Sequence, residues 1–568
     1  MVYTFGGLTR IKDGLITNFT QQNGLRGGPV SSIDEDKDGG VWASGDAGLQ
    51  VIRNSKVIKV GAESGLTGEQ LGDVTADADG NVWIPSGDRL MVLPHGEERF
   101  RLATKAAEHI WSCNKDRRAG IWCVRTDASI VHFTLTQPVV APLDRHEIVL
   151  ADDLIAARDG TIWITTHLHG IERFSAAAKI IPRAGSKEME HYGSREGLSG
   201  DHAFSLAEDR EGSIWVVTTN GLDQFRTVPF TPVDLGGDAT VALPIGKRES
   251  RMVIATDRLF DLTTGYPVPL TPFFKTFSRS LFESKDGTLW IGTSAGLLKY
   301  ANGHLHPQQL PSLPTGSFRR VQAVTEDDRG GLWISLAGNG LYRFDGTSWQ
   351  KHGGYDGLPE EPSACAYRDH EGKAWFGFLD GRAAQLSVGK VLVFSHSDGL
   401  SLGGIKVFTE SNGHLWAGGD RGVAVLKSGT FHTLLLAGKQ EVRGVTGLAF
   451  ASDGALWING GSGILRVSRE ELSLDDAEPA HTVAFEAFNY LDGVRGIPDP
   501  LYGMSSAWMA PDGRLYFATR TNLQWIDPLH IPHNAVPPLV RITAIKADDQ
   551  NNAHLLRLRK LQVPLSRP

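Results

Sequence analysis

Residues 326–341 read EDDRGGLWISLAGNGL, and this stretch decides the fold because close copies of it recur along the chain. The segments EDKDGGVWASGDAGL at 35–49, EDREGSIWVVTTNGL at 208–222 and ESKDGTLWIGTSAGL at 283–297 follow the same plan. Each has a polar turn with Gly, a Trp between apolar residues, a few small residues and a Gly-Leu pair. The chain is therefore an array of one repeated unit.

Tryptophan marks the same position in most units, and successive anchors commonly lie 39–43 residues apart. The anchors are Trp42, Trp83, Trp122, Trp163, Trp215, Trp290, Trp333, Trp375, Trp416 and Trp457. The long step from Trp215 to Trp290 contains one further unit, RMVIATDRLFDL at 251–262, which lacks the Trp. A last unit, PDGRLYFATRTNLQWIDP at 511–528, carries Tyr516 in the anchor position. Twelve units are thus visible.

The local pattern of each unit predicts short strands. A Gly stands three residues before every anchor Trp except Trp122, where Ala119 replaces it. Such a Gly predicts a tight hairpin with a positive φ, and the apolar-Trp-apolar triplet predicts a buried strand. Together with a period near 40, this predicts an all-β fold of propeller blades. We expect the anchors, including Trp83, Trp215, Trp333 and Trp416, to be buried between blades.

Composition and charge exclude several classes of protein. The chain has 568 residues, more than a single core supports, and its formal charge of −8 comes from 57 basic and 65 acidic residues. No basic block suggests a nucleic-acid partner. No apolar stretch is long enough for a membrane span, and the start MVYTFGGLTRIKDG lacks the features of an export signal. The sequence therefore predicts no anchor and no signal peptide in this chain.

Cys113 and Cys123 flank a predicted hairpin in SCNKDRRAGIWCV at 112–124, where they could face each other across two strands. A large propeller core does not need a disulfide, so we expect two buried, reduced thiols. The sequence does not fix their state.

The repeats resemble the two-component regulator propeller repeats of hybrid histidine kinases and related bacterial receptors. The segments GLTRIKDGLITNFTQQNGL at 7–25, VSSIDEDKDGGVWASGDAGL at 30–49 and FSLAEDREGSIWVVTTNGL at 204–222 carry the resemblance, which extends over nearly the whole chain. It implies two β-propellers of Trp-anchored, four-stranded blades, followed by a β-sandwich of the Y_Y_Y type. The segment IDPLHIPHNAVPPLVRITAIKADDQ at 526–550 is similar to the junction with that sandwich.

On this basis we predict three segments. Residues 1–235 form a first propeller that is incomplete at its N-terminus, residues 236–530 form a second, seven-bladed propeller, and residues 531–568 begin the sandwich. Members of the family commonly have two seven-bladed rings, whereas this chain begins inside a blade. We therefore expect it to be truncated at both ends.

Motifs of enzymes and cofactor sites are missing from the sequence, which has no GxSxG elbow, HExxH motif, P-loop or kinase set. We predict no catalytic residue, no cofactor, no metal ligand and no enzyme in this chain. His167 and His169 in TTHLHG would share a strand face, but a metal site needs further ligands that the sequence does not place. We interpret Glu326-Asp327-Asp328 as a solvated hairpin tip rather than a calcium site.

The sequence does not identify the ligand-binding residues. Four aromatic residues outside the anchor positions could stack on a sugar, although packing is their expected role: Trp111, Trp349, Tyr355 and Trp508.

The resemblance implies a periplasmic, ligand-sensing and non-catalytic part of a bacterial two-component receptor. Its partner would be an unknown extracellular ligand, with an oligosaccharide as one interpretation. It would reach the membrane only through a missing C-terminal segment, and a homodimer of the full-length receptor is compatible with this role. Two other classes stay open, a propeller lyase or hydrolase acting on a polysaccharide or glycopeptide, and a protein-interaction platform.

Overall fold

The fold comes from a computed structural model of the chain. It describes residues 2–533 apart from 5–6, 13–14, 67–70, 88, 105–109, 117–118, 126–129, 136–138, 142–150, 176–188, 234–241, 246–250, 255–257, 262–266, 269–277, 302–303, 440–441, 478–480, 499–503 and 521. Most of the predicted sandwich segment, residues 534–568, thus lies outside the described residues. The described residues fall into two compact units, which span 1–227 and 228–533.

The first unit contains six antiparallel sheets among its described residues, numbered here as blades 1 to 6. Blade 1 has the strands Val2–Thr4, Gly7–Lys12 and Leu15–Phe19; blade 2 has Val30–Glu35, Val41–Gly45, Leu49–Arg53 and Lys56–Val60; blade 3 has Thr75–Ala76, Val82–Ser86, Arg89–Leu93 and Arg101–Thr104. Blade 4 has Ile110–Lys115, Ile121–Arg125, Ile130–Phe133 and Val139–Ala141; blade 5 has Ala151–Ala156, Thr161–Thr166, Ile171–Ser175 and Glu190–Tyr192; blade 6 has Ala203–Glu208, Ile214–Thr218 and Leu222–Phe225.

The second unit contains seven four-stranded sheets within the described ranges, numbered blades 7 to 13. Blade 7 has Ala242–Ile245, Arg251–Ile254, Arg258–Asp261 and Pro267–Val268; blade 8 has Ser278–Glu283, Leu289–Thr293, Leu297–Ala301 and His304–Gln308; blade 9 has Val321–Glu326, Leu332–Leu336, Gly340–Phe344 and Trp349–Lys351; blade 10 has Cys365–Arg368, Ala374–Gly377, Ala383–Ser387 and Lys390–Phe394. Blade 11 has Ile405–Ser411, His414–Gly419, Gly422–Lys427 and Thr430–Thr433; blade 12 has Gly447–Phe450, Leu456–Gly460, Gly463–Val467 and Glu486–Phe488; blade 13 has Ala507–Met509, Leu515–Ala518, Leu523–Ile526 and Thr231–Val233.

The blades follow one another as the repeat predicts. In each unit the first strand of a blade lies beside the first strand of the next blade, so the first strands are the innermost ones. Blades 7 and 13 correspond to the unit without a Trp and to the Tyr516 unit. The all-β propeller fold predicted from the sequence is confirmed. A single α-helix, Arg469–Ala477, occurs in the described part of the chain, between the third and outer strands of blade 12.

Short 3-10 turns complete the described elements. They are Gln21–Asn23, Ala62–Ser64, His352–Gly354, His396–Asp398, Ala437–Lys439 and Tyr490–Asp492. All six connect the outer strand of one blade to the first strand of the next, and four of them are followed by a Gly in the left-handed conformation, such as Gly399 with φ 82°. No helix in the described ranges is long and apolar enough to cross a membrane.

Blade 13 takes its outer strand from the beginning of the second unit. Thr231–Val233 pairs antiparallel with Leu523–Ile526, in the register Thr231 opposite Trp525 and Val233 opposite Leu523. The predicted boundary between residues 235 and 236 therefore assigns this strand to the first propeller, whereas in the structure it belongs to the second unit. The pairing joins the first and last segments of the unit, which is how a propeller removes its exposed sheet edges.

An aspartate in the hairpin turn holds the anchor tryptophan in six of the blades. In blade 2 the Asp36 carboxylate accepts hydrogen bonds from the backbone N–H of Gly40 at 2.8 Å and from the indole Nε1 of Trp42 at 2.7 Å. The same bond across six residues joins five other pairs: Asp77–Trp83, Asp116–Trp122, Asp209–Trp215, Asp327–Trp333 and Asp369–Trp375. Gly39, three residues before Trp42, has a positive φ as predicted, with a value of 78°. The Asp thus joins the turn to the buried anchor.

Burial of the anchors agrees with the prediction at three of the four named positions. Trp83, Trp333 and Trp416 are buried, whereas Trp215 in blade 6 is only partly buried. Within the described residues, blade 6 has three strands and leaves Val217 and Leu222 exposed on the same sheet, so less structure covers this anchor. The expectation that Trp215 is buried is therefore wrong.

The run Glu326-Asp327-Asp328 is not a solvated tip. Asp327 is 1% exposed and accepts hydrogen bonds from Trp333 Nε1 at 2.9 Å and from Arg343 Nε at 2.6 Å. Burial raises the pKa of Asp327, but the hydrogen bonds from Arg343 and Trp333 outweigh it and hold that pKa below its usual range. The Asp is a buried structural group.

Cys113 and Cys123 form a disulfide. They are opposite residues of the first two strands of blade 4, with Cα atoms 4.1 Å apart. The expectation of reduced thiols is thus wrong, because the strand register places the two side chains in direct contact. Cys365 is a free thiol, and burial raises its pKa to about 12.

Blade 12 lacks the turn aspartate, and this predicts a stabilising substitution. Ala451 occupies the position six residues before Trp457, and the buried Trp457 Nε1 and Arg466 Nε have no hydrogen-bond partner among the described residues. We expect Ala451→Asp to raise the free energy of unfolding by about 1–2 kcal/mol, since hydrogen bonds to a charged group contribute about 1.5–3 kcal/mol each before the cost of burying the carboxylate. Thermal unfolding measures this change.

The isosteric but neutral Ala451→Asn variant is the matched control for that substitution. We expect a smaller gain, because an amide oxygen is a weaker acceptor than a carboxylate. A lower melting temperature for Ala451→Asp than for the unsubstituted protein would contradict the role assigned to the turn aspartates.

Candidate functional site

The second unit contains a cavity of about 390 Å³ among its innermost strands. First strands of six blades contribute to its wall. The lining residues are Ser280, Leu281, Val324, Cys365, Ala366, Tyr367, Lys406, Val407, Phe408, Thr409, Glu410, Leu448, Ala449, Phe450, Met504, Ser505, Ala507, Trp508 and Met509. A mostly apolar wall with a few polar groups is typical of a small-molecule site.

Trp508, one of the lining residues, carries an unused hydrogen-bond donor. Its side chain is 7% exposed and its ring stacks on Tyr516, with ring centroids 5.8 Å apart and planes 7° from parallel. The indole Nε1 is buried and has no hydrogen-bond partner within the described structure. Because an unsatisfied buried donor costs free energy, a ligand acceptor at this point would be stabilising.

Two charged residues of blade 11 lie at opposite ends of the same first strand. Lys406 Nζ pairs with Asp420 Oδ1 at 2.5 Å, and Glu410 accepts from the backbone N–H of His370 at 2.9 Å. The His370 ring also contacts Glu410 through Nδ1. Burial, followed by the charge of Glu410, raises the pKa of Tyr367, so its phenol stays neutral. The cavity therefore has a cation near one end and a carboxylate near the other.

A second cluster of polar groups lies in the first unit, between blades 5 and 6. Asp152 Oδ2 is 3.6 Å from His167 Nδ1 and 3.3 Å from His202 Nε2. Asp152 lies in a β-bulge of the first strand of blade 5, where the pairing register shifts between Ala151 and Leu154. Bulges commonly re-aim side chains at functional sites.

Comparison with known proteins identifies the repeat. The family model described as "two component regulator propeller" matches residues 197–220 and 273–295. Two segments of the chain thus match the two-component regulator propeller repeat. No curated protein matches the chain by sequence.

Solved structures resemble this chain to different degrees. The extracellular domain of the hybrid two-component system BT3049 from B. thetaiotaomicron is 16% identical with a TM-score of 0.64, over 93% of this chain and 70% of that one. The corresponding domain of BT4673 from the same bacterium is 15% identical with a TM-score of 0.43, over 92% and 74%. Virginiamycin B lyase from Staphylococcus aureus is 14% identical with a TM-score of 0.34, over 57% and 94%. Only the first likeness supports an argument, and it concerns the fold.

The aromatic residues singled out in the sequence lie in different places in the structure. Trp508 lies on the cavity wall, Trp349 donates its indole N–H to the carbonyl of Gln309 at 2.8 Å, and Tyr355 packs near Trp333. Trp111 lies in the first strand of blade 4. The structure thus brings only Trp508 to the cavity.

The two histidines of TTHLHG separate in the structure. His167 lies at the end of the second strand of blade 5 and faces His202, whose ring centroid is 3.8 Å away. His169 is exposed in the following turn and is not part of the cluster. His167 thus lies beside His202 and Asp152 and not beside His169, because strand pairing and blade packing bring these other segments to it.

Proposed function

We propose that this chain is the ligand-sensing, non-catalytic part of a bacterial two-component receptor and that it acts outside the cytoplasm. The regulator propeller repeats support the signalling role. The Cys113–Cys123 disulfide supports an oxidising compartment such as the periplasm, where such bonds persist. The two compact units, of which the second starts at residue 228, supply the scaffold.

The cavity of the second unit is the proposed ligand site, and the unpartnered indole N–H of Trp508 is the observation that carries this proposal. A neutral oligosaccharide fits its chemistry. Sugar hydroxyl groups can accept from Trp508 and bind the charged groups at Lys406 and Glu410, while the apolar faces of sugar rings pack on aromatic walls.

Isothermal titration of the purified chain against a panel of neutral oligosaccharides tests the proposal. We expect one sugar class to bind, and Trp508→Phe to weaken binding about fivefold, since one hydrogen bond contributes about 1 kcal/mol. The matched control is Trp525→Phe, because Trp525 stacks under Arg514 at 3.9 Å and does not line the cavity. That variant should bind as the unsubstituted protein does.

Other results would reject parts of the proposal. If no sugar binds, the ligand is not a neutral carbohydrate. If Trp508→Phe binds a sugar as well as the unsubstituted chain does, the site is not this cavity. Cleavage of a polysaccharide by the purified chain would instead favour the propeller-enzyme alternative.

A further inference from the structure

Three side chains from separate segments of the first unit converge between blades 5 and 6. Asp152 begins the first strand of blade 5, His167 follows its second strand, and His202 immediately precedes the first strand of blade 6. Their ligand atoms all lie within 4.8 Å of one another. We propose that these residues form a binding site for a divalent transition-metal ion, with zinc as the ion of best fit.

The distances suit a tetrahedral metal ion. The Asp152 oxygen lies 3.3 Å from His202 Nε2 and 3.6 Å from His167 Nδ1. Ligands that each bind zinc at about 2.0–2.2 Å in tetrahedral geometry lie roughly 3.3–3.6 Å apart. Both distances from Asp152 fit one tetrahedral ion, and the two histidine nitrogens lie within 4.8 Å of each other.

The local electrostatics also favour a bound cation. Asp152 Oδ2 is shielded from solvent and accepts no hydrogen bond of acceptable geometry within the described residues. Burial of such a carboxylate oxygen costs free energy unless a positively charged group is bound to it. The two imidazole rings lie close together, with centroids 3.8 Å apart and planes inclined by 56°, and a shared metal ion binds their neutral nitrogens without the repulsion that two ring charges would cause.

The backbone around the cluster holds the donors in place. The N–H of Gly170 donates to the carbonyl of Asp201 at 2.6 Å, which joins the turn after His167 to the residue before His202. The carbonyl of His202 in turn accepts from the N–H of Thr219 at 3.0 Å. A bound ion would thus join two adjacent blades whose loops are already fixed to each other.

The ligand set determines which ions fit. Two imidazole nitrogens and one carboxylate suit zinc and neighbouring transition metals, whereas calcium prefers six or more oxygen ligands. Three protein ligands leave a fourth position, and the side chain of His167 is 44% exposed. Solvent or an exogenous oxygen or nitrogen ligand can complete the shell there.

Zinc binding to the chelator-treated, full-length chain tests the site. Titration calorimetry with zinc chloride at neutral pH should give one strong site per chain, and calcium chloride should give none. We expect Asp152→Asn and His202→Ala to weaken zinc binding at least tenfold. The matched control His169→Ala removes an exposed histidine of the same turn and should bind zinc with unchanged affinity.

Folding of the variants is checked by their melting temperatures without metal. Zinc should raise the melting temperature of the unsubstituted chain and of His169→Ala but not that of Asp152→Asn. If His202→Ala does not fold, His167→Ala serves in its place, because His167 is partly exposed. Equal zinc affinity of Asp152→Asn and the unsubstituted chain, or no saturable zinc binding at all, would overturn the proposal.

Discussion

Replacing Trp333 with Ala is expected to lower the free energy of unfolding of the second unit by about 3–5 kcal/mol. The indole is fully buried in blade 9 and packs against residues of blade 10, with its ring centroid 5.4 Å from that of Phe376. The substitution also removes a donor to the buried carboxylate of Asp327. The empty space left by the indole and the lost hydrogen bond both lower the free energy of unfolding. Calorimetry or circular dichroism during heating measures the effect.

Two variants separate the causes of that loss. Trp333→Phe keeps most of the buried ring and removes the indole N–H. It should therefore lower the free energy of unfolding much less than Trp333→Ala does. Trp349→Ala removes another tryptophan of blade 9, but one that is only partly buried, and should cost less than half as much. Similar losses for Trp333→Ala and Trp349→Ala would show that the anchors do not hold the blades together.

The blade order follows from the sequence because one local pattern repeats in every unit. The Gly before the anchor, the apolar strand and the Gly-Leu pair all belong to one hairpin. Their residues are close in sequence, so the pattern is visible without the structure. This is why the unit at 251–262, which has no Trp, and the Tyr516 unit were both recognised and are confirmed as blades 7 and 13.

The role of the turn aspartates was visible only in part. An acid six residues before the anchor, as in Asp36 and Trp42, is a regular spacing, but its meaning depends on the turn geometry that returns the carboxylate to the indole. Had this spacing been treated as a hydrogen-bonded pair, Ala451 before Trp457 would have stood out as one of four exceptions, beside Ala157, Ser284 and Glu410. The signal was therefore present in the sequence.

The candidate sites could not be predicted because they join different blades. Asp152, His167 and His202 come together only through the pairing of blade 5 and its packing on blade 6. Trp508 looks like any other aromatic residue in a strand until the innermost strands surround it. The repeat pattern describes each blade by itself and contains no information on contacts between residues of different blades.

The outer strand of blade 13 is expected to decide whether the second unit folds as a closed ring. We expect a fragment of residues 236–533 to be less stable than one of residues 228–533 by at least about 3–5 kcal/mol. The shorter fragment lacks Phe230, which is 1% exposed and packs between Phe488 and Phe517 at centroid distances of 5.5 and 5.6 Å. It also lacks the strand Thr231–Val233.

Loss of that strand should have a second consequence besides lower stability. Leu523–Ile526 would become an unpaired sheet edge, and such edges pair with other chains. The shorter fragment should therefore associate at concentrations where the longer one is monomeric, as measured by sedimentation velocity. Phe230→Ala in the longer fragment separates the two effects, because it removes the buried ring and keeps the strand, so it should melt early but stay monomeric. Identical melting temperatures and monomeric states for both fragments would mean that Thr231–Val233 does not close the ring.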